Sequence, residues 1–248
     1  LAMLVVVLVG AFLGLIFAFL TVTLQSDQTV CGMAMLILGT GLSGFLGEGI
    51  ASKPVNLKFP KLPIPVLSDI PVIGEIFFNQ NILVYLMYII LPLATFYIYR
   101  TRWGMKLRAL GENPAVLDAA GEKVFAMRYG YVIIGSAFMA VSGAFVSLAQ
   151  TNVWQEGMTA GKGWIAFALV AFSAWNPAKL AMGAILFGFI SNLGSNLQIY
   201  LPGVPTEIFS AMPYIATIIV LIVSTGNFRK KHSAEPAALA KPYDRESR

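Results

Sequence analysis

The sequence predicts an all-α fold, a polytopic membrane helix bundle of about seven spans, and three observations carry that expectation. Of the 248 residues, 57% are hydrophobic and only 12% are charged. The mean hydropathy of +0.75 is far above that of a soluble domain of this size. The apolar residues are also gathered into runs of about 20, the length needed to cross a hydrocarbon core about 30 Å thick. The formal charge of +5 sits beside the ends of those runs, where basic residues set topology. It forms no patch of the kind that binds nucleic acid, and no nucleic-acid partner is expected.

Leu1 to Leu24 is the first run, and Gly10-x-x-x-Gly14 within it has the spacing that lets another helix approach closely. Two glycines tolerated in an ordinary span is an equally good reading. The chain opens on Leu1 without a methionine and is already apolar there, so it is expected to lack its natural N-terminus. No basic region or small-residue cleavage pattern marks a signal peptide. After the turn Gln25-Ser26-Asp27 a second span is expected over Gln28 to Gly47, ending in glycines that suggest tight packing or a broken helix end.

Residues 51–80 differ in kind. Pro54, Pro60, Pro63, Pro65 and Pro71 rule out a continuous helix there. An irregular outer loop is expected, with one short helix near Pro71 to Phe78. The third span is Asn81 to Tyr99, kinked at Pro92. Tyr129 to Leu148 is the fourth, and the polar stretch 150–162 follows it. Trp164 to Trp175 is a short fifth crossing, Ala178 to Leu197 the sixth and Glu207 to Ser224 the seventh. Residues 1–228 thus form the membrane domain, and 229–248 a polar tail expected to be disordered past Ser233.

Between the third and fourth spans lies a polar island, residues 100–128. It holds Arg100, Arg102, Lys106, Arg108, Lys123 and Arg128. The tail adds Arg229, Lys230, Lys231, Lys241, Arg245 and Arg248, and Lys179 falls on the same side, against Lys53, Lys58, Lys61 and Lys162 on the other face. The bias places island and tail inside and Leu1 outside. It also requires the short fifth crossing, without which the tail would lie outside.

Inside the island a small helix has its start and stop signals in order. Asn113 can cap it, Pro114 suits the first helical position, and Gly121 can adopt the left-handed conformation that ends it. Two turns are marginal alone, so the helix must dock on something. A cytoplasmic partner is the functional reading and an ordinary juxtamembrane linker the plain one.

Catalytic chemistry is not visible. Gly161-Lys162-Gly163 lacks the spacing of a phosphate loop, and no span carries paired acids or a serine–histidine pair. Cys31 stands alone in an apolar run and His232 lies in the tail, so neither a disulfide nor a metal site is expected. Span interiors nearly free of charge argue against ion-coupled carriage or voltage sensing. They do carry uncharged polarity. Ser191, Asn192, Ser195, Asn196 and Gln198 cluster on the sixth span and are candidates to line the path of a neutral polar solute. Interhelical hydrogen bonding, or the approach to the outer interface, explains them as readily. Trp154, Gln155 and Glu156 are candidates to touch an outer partner, interfacial anchoring of tryptophan being the commoner role.

Several stretches resemble one family: LQSDQTVCGMAMLILGTGLSGFL at Leu24 to Leu46, LRALGENPAVLDAAGEKVFAMRY at Leu107 to Tyr129, GKGWIAFALVAFSAWNP at Gly161 to Pro177, and GAILFG at Gly183 to Gly188. They are similar to permease subunits of bacterial ABC importers of the ribose, branched-chain amino acid and nucleoside group, most of all its nucleoside or simple-sugar branch. Members usually begin with further spans, so the resemblance implies an N-terminally truncated chain.

It also implies alternating access. A solute-binding protein outside the membrane delivers to two permease subunits, identical or homologous, in the bacterial plasma (inner) membrane. Cytoplasmic ABC ATPases hold ATP and Mg, and this chain binds no cofactor. Coupling would run through Gly111, Glu112, Asn113, Pro114, Val116, Leu117, Asp118, Ala119, Ala120, Gly121 and Glu122. A passive channel or scaffold, or a multispan membrane enzyme, are the other classes. The first needs no coupling helix, and the second needs intramembrane acids, histidines or a basic pocket.

Overall fold

The computed structural model describes residues 1–51, 53, 60–65, 68, 74, 77–159, 161–201, 203–228 and 235–245, without the side chains of 61, 220, 221 and 223–228. The expected short helix near Pro71 to Phe78 and His232 lie largely or wholly outside those residues.

Helix α1 (Ala2–Ala18) continues through a π-helical turn at Phe19–Thr23. α2 (Gln28–Gly47) starts where Asp27 accepts from the Val30 N–H at 2.9 Å and closes with a 3₁₀ turn at Glu48–Ile50. The proline-rich loop contains an antiparallel ribbon that the proline count did not suggest, β1 (Lys61–Pro63) on β2 (Asn79–Asn81), with Leu62 opposite Gln80. Tyr85 ties it down by donating to the Leu62 carbonyl at 2.8 Å. The chain continues through α3 (Ile82–Arg100), α4 (Arg102–Glu112), α5 (Pro114–Ala119), α6 (Val124–Phe145, with a π turn at Val146–Gln150), α7 (Lys162–Phe172), α8 (Pro177–Tyr200) and α9 (Thr206–Phe228).

Among the described residues, five stretches are long and apolar enough to cross a membrane: Ala2–Thr23, Gln28–Ile50, Ile82–Arg100, Val124–Gln150 and Pro177–Tyr200. α9 has the length, and its described apolar part reaches Ile219. α7 has 11 residues, a rise of about 16 Å, and covers only part of a bilayer's core.

The chain forms two compact units. One comprises Leu1–Ile89, Met105–Ala160 and Ala237–Arg248, the other Ile90–Gly104 and Gly161–Pro236. In the first unit α1 lies along α6, and the glycine spacing has its physical cause there. A Cβ on Gly10 would meet Ala140 Cβ and come within 2.9 Å of the Ser136 carbonyl oxygen. One on Gly14 would lie 2.6 Å from Ser136 Cβ. Ala18 is fully buried one turn on. Small residues at every fourth position face small residues of the partner helix, and the backbones close to contact.

The glycines ending α2 are of two kinds. Gly47 lies under the indole of Trp154, with no room for a side chain, whereas Gly39 and Gly41 face open space. In the second unit Gly194 of α8 admits α9, where a Cβ would lie 2.9 Å from the Phe209 carbonyl oxygen.

The structure adds to the expectations at three points. The island holds two helices rather than one, because Trp103, Leu107 and Leu110 follow a helical period and form α4. α6 begins at Val124, so Arg128 belongs to a helix. In the tail, expected to be disordered past Ser233, residues 237–245 pack on the first unit.

Candidate functional site

The helix of the island is built by the residues that announce it. Asn113 has extended backbone angles, and its Oδ1 accepts from the N–H groups of Ala115 at 3.1 Å and Val116 at 3.3 Å. Pro114 occupies the first helical position, where no N–H is needed. α5 stops at Ala119 with Ala120 as its cap. Gly121 takes φ +83°, and its N–H reaches the Asp118 carbonyl at 2.9 Å while the Glu122 N–H reaches that of Leu117 at 3.2 Å. A side chain at Gly121 would add about 1–2 kcal/mol of left-handed strain.

Six residues do not make a stable helix by themselves, and α5 is held from both sides. Its inner face lies on the chain's own core. Leu117 is 6% exposed and clusters with Leu110 of α4 and Val124 of α6. Pro114 is also buried, while Ala115, Val116, Ala119 and Ala120 face outward, Val116 being 61% exposed. Lys106 of α4 pairs with Glu122 at 2.5 Å and closes the loop beyond Gly121. Glu112 is exposed.

The other support is the tail, which composition alone left free. Arg245 donates from Nε to Asp118 Oδ2 and from Nη2 to Oδ1, both at 2.8 Å. The Tyr243 hydroxyl donates to Oδ2 of the same carboxylate at 3.0 Å. An acid near a helix C-terminus opposes the helix dipole, and a bidentate guanidinium offsets that cost. Hydrogen bonding to Asp118 raises the Arg245 guanidinium above its ordinary value. Asp118 is thereby engaged within the chain, so of the polar residues expected to meet a partner it is the least available.

The candidate path residues lie on α8 within one arc of about 160°, turned away from the side that meets α9. At about 100° per residue, Asn192 and Asn196 are about 160° from Gly194, whose side of α8 meets α9. Ser191, Ser195 and Gln198 are about 40–100° from it. Asn192, Ser195 and Asn196 donate to the carbonyls of Gly188, Ser191 and Asn192, one turn back in their own helix. All except Ser191, which is half-buried, are exposed. The same unit holds a cavity of about 510 Å³ lined by apolar side chains such as Leu169, Phe172, Met182 and Ile190. None of the five lines it. Trp154 packs on Gly47, which accounts for it structurally, and Gln155 and Glu156 are exposed. Among the described residues, no group of three His, Cys, Asp or Glu side chains comes together to hold a metal.

Residues 1–221 match the family described as "Branched-chain amino acid transport system / permease component". The chain is 36% identical to a Haloferax volcanii protein with the provisional name of glucose ABC transporter permease, over 96% of this chain and 78% of that one. It is 32% identical to the nucleoside ABC transporter permease of Lactococcus lactis, over 89% and 73% of the two chains. It is also 32% identical to the guanosine ABC transporter permease of Bacillus subtilis, over 89% and 72%. No solved structure matches it.

Proposed function

The chain belongs to the branched-chain amino acid transport system permease family, and on that premise we propose that α5 is where its ATPase grips it and that its solute is a nucleoside or simple sugar. It is a multi-pass membrane protein, the permease subunit of an ABC importer, and not itself an enzyme. Permeases of this family work with an ATPase and a binding protein. The ATPase supplies ATP hydrolysis with Mg, the binding protein delivers solute from outside, and a second permease subunit completes the path. The membrane is the bacterial plasma membrane, with the 100–128 loop and the tail in the cytoplasm.

The single observation behind the coupling role is the construction of α5. A six-residue helix, capped at Asn113 and stopped at Gly121, buries Leu117 and presents Val116 to solvent. A juxtamembrane linker needs no such frame. A rigid apolar contact ringed by Glu112, Glu122 and Lys123 is suited to a complementary groove, where a few anchors carry most of the binding energy. Motion of the ATPase then reaches α6 through Val124, the most buried of the clustered side chains at 2% exposure.

The test scrambles residues 111–122 in the complex reconstituted with its ATPase and binding protein. Loss of uptake with normal membrane insertion is expected; unchanged uptake removes the coupling role. The solute class is supported by the glucose, nucleoside and guanosine named for the relatives and by the uncharged amides of α8. Direct binding of radiolabelled nucleosides and sugars to the companion binding protein decides it. A charged amino acid bound in preference to both would overturn it.

A further inference from the structure

The tail does more than approach α5. Ala238 donates its N–H to the Gly111 carbonyl at 2.9 Å, satisfying an acceptor at the C-terminus of α4 that the helix itself leaves open. Arg128 Nη1 reaches the Lys241 carbonyl at 3.2 Å, and its guanidinium lies 5.7 Å from the centre of the Tyr243 ring. That ring packs on Phe125 at 5.8 Å and against the Leu110, Leu117 and Val124 cluster. Gln25, in the turn after α1, donates to the Tyr243 carbonyl at 3.2 Å. With Tyr243 and Arg245 on Asp118, one short polar segment joins α4, α5, α6 and the α1–α2 turn. Val116 remains exposed throughout.

We infer that residues 237–245 are a strap that positions α5 for its ATPase, with Tyr243 as the apolar anchor and Arg245 as the electrostatic latch. The inference rests on the coupling role of α5. The strap bonds both ends of the structure that a partner would push: the Gly111 carbonyl before α5 and the Asp118 carboxylate near its end. It also ties α5 to α6, the helix that would carry the movement into the membrane. Without it α5 keeps its cap and Leu117 but loses the bonds that fix its direction, so force applied at Val116 would swing the helix rather than shift α6.

The experiment uses the full complex in proteoliposomes and reads solute moved per ATP hydrolysed. Removal of residues 237–248 and Tyr243→Ala should each lower that ratio about fivefold or more, the lower end of typical coupling between sites, while the subunit inserts and assembles. Tyr243→Phe, which keeps the ring, should retain most of it. Arg245→Asp should lower it, and adding Asp118→Arg to that variant should restore it. In the inserted permease before its ATPase is added, a spin label at Val116→Cys in a Cys31→Ala background should become more mobile in the truncated form.

An unchanged ratio with unchanged label mobility overturns the strap. So does a joint rise of uptake and hydrolysis, which would make the segment a brake. Should the truncated form fail to assemble, the charge swap decides, and absence of rescue counts against the strap. Scrambling 111–122 in parallel separates the two readings. If that leaves uptake intact, the role of α5 fails; if it abolishes uptake while the truncated form transports normally, only the strap fails.

Discussion

Val116 and Leu117 are neighbours in sequence with opposite duties, and the difference decides which one reports on a partner. Leu117 is buried, so Leu117→Ala should cost about 2–5 kcal/mol of local stability. Any loss of transport in that variant is first a loss of the helix. Val116→Asp leaves the core untouched and should abolish coupled uptake while insertion and thermal stability stay normal; a transporting Val116→Asp variant would remove Val116 from the contact. Asn113→Ala deletes one cap, worth about 1 kcal/mol. The expected outcome is faster hydrogen exchange at Ala115 and Val116, with exchange in α6 unchanged. The Arg245 guanidinium is raised by Asp118. A raised basic group stabilises below its unfolded pKa, and that stability is lost only as pH climbs through the folded one, so Arg245 stays charged at about pH 6–9. Salt is the agent that should loosen the latch, because the guanidinium faces water, and about 1 M shortens the screening length to about 3 Å. Label mobility at position 116 rising with salt, but flat between pH 6 and 9, is the expected pattern.

Among elements, the α1–α6 pair has the least room for substitution. Gly14→Leu would drive a branched side chain into Ser136 and Ile133, which lie within 3.3 Å of a mere Cβ. It should lower the melting temperature of the purified protein or prevent its accumulation. Gly39→Ala, facing open space on α2, should change neither, and equal melting of the two variants would contradict the close packing. α8 repeats the entry of α5: Asn176 Oδ1 accepts from Ala178 at 3.0 Å and Lys179 at 3.3 Å, with Pro177 at the first position. The same dipeptide starts a six-residue surface helix and a 24-residue span. A cap therefore fixes where a helix begins and says nothing of its length, which the following apolar run decides.

In the first unit, contacts sort the chain into two ends. The Gln25 turn, the 111–128 segment and residues 238–245 meet at one. The end of α2 meets Trp154 and Glu156 at the other. The expected topology puts an even number of crossings between the island and the tail, and so predicts that α7 with its flanking residues, although the helix has 11 residues, crosses the membrane. Single cysteines in a Cys31→Ala background test the arrangement. Ser26→Cys, Ala119→Cys and Lys241→Cys should label from one face of the membrane, and Gln155→Cys from the other. Labelling of Lys241→Cys with Gln155→Cys would refute the path.

Much of this was legible from residues alone because its causes are local. Apolar runs must span, prolines break helices, and Asn113, Pro114 and Gly121 frame α5 through bonds to neighbours a few positions away. The Gly10 and Gly14 spacing showed that a helix could come close; that α6 is the helix that does so is a fact of packing. The place of the tail is not legible in its residues for the same reason. Its composition is polar, and the bonds that order it join Tyr243 and Arg245 to Asp118, 125 and 127 positions away. The sequence by itself determined the apolar runs, the frame of α5 and the charge bias, since each follows from the chemistry of a short stretch. Only the tertiary structure decided which helices touch, which side of α5 is buried and where the tail lies, because those depend on what distant segments offer one another in space.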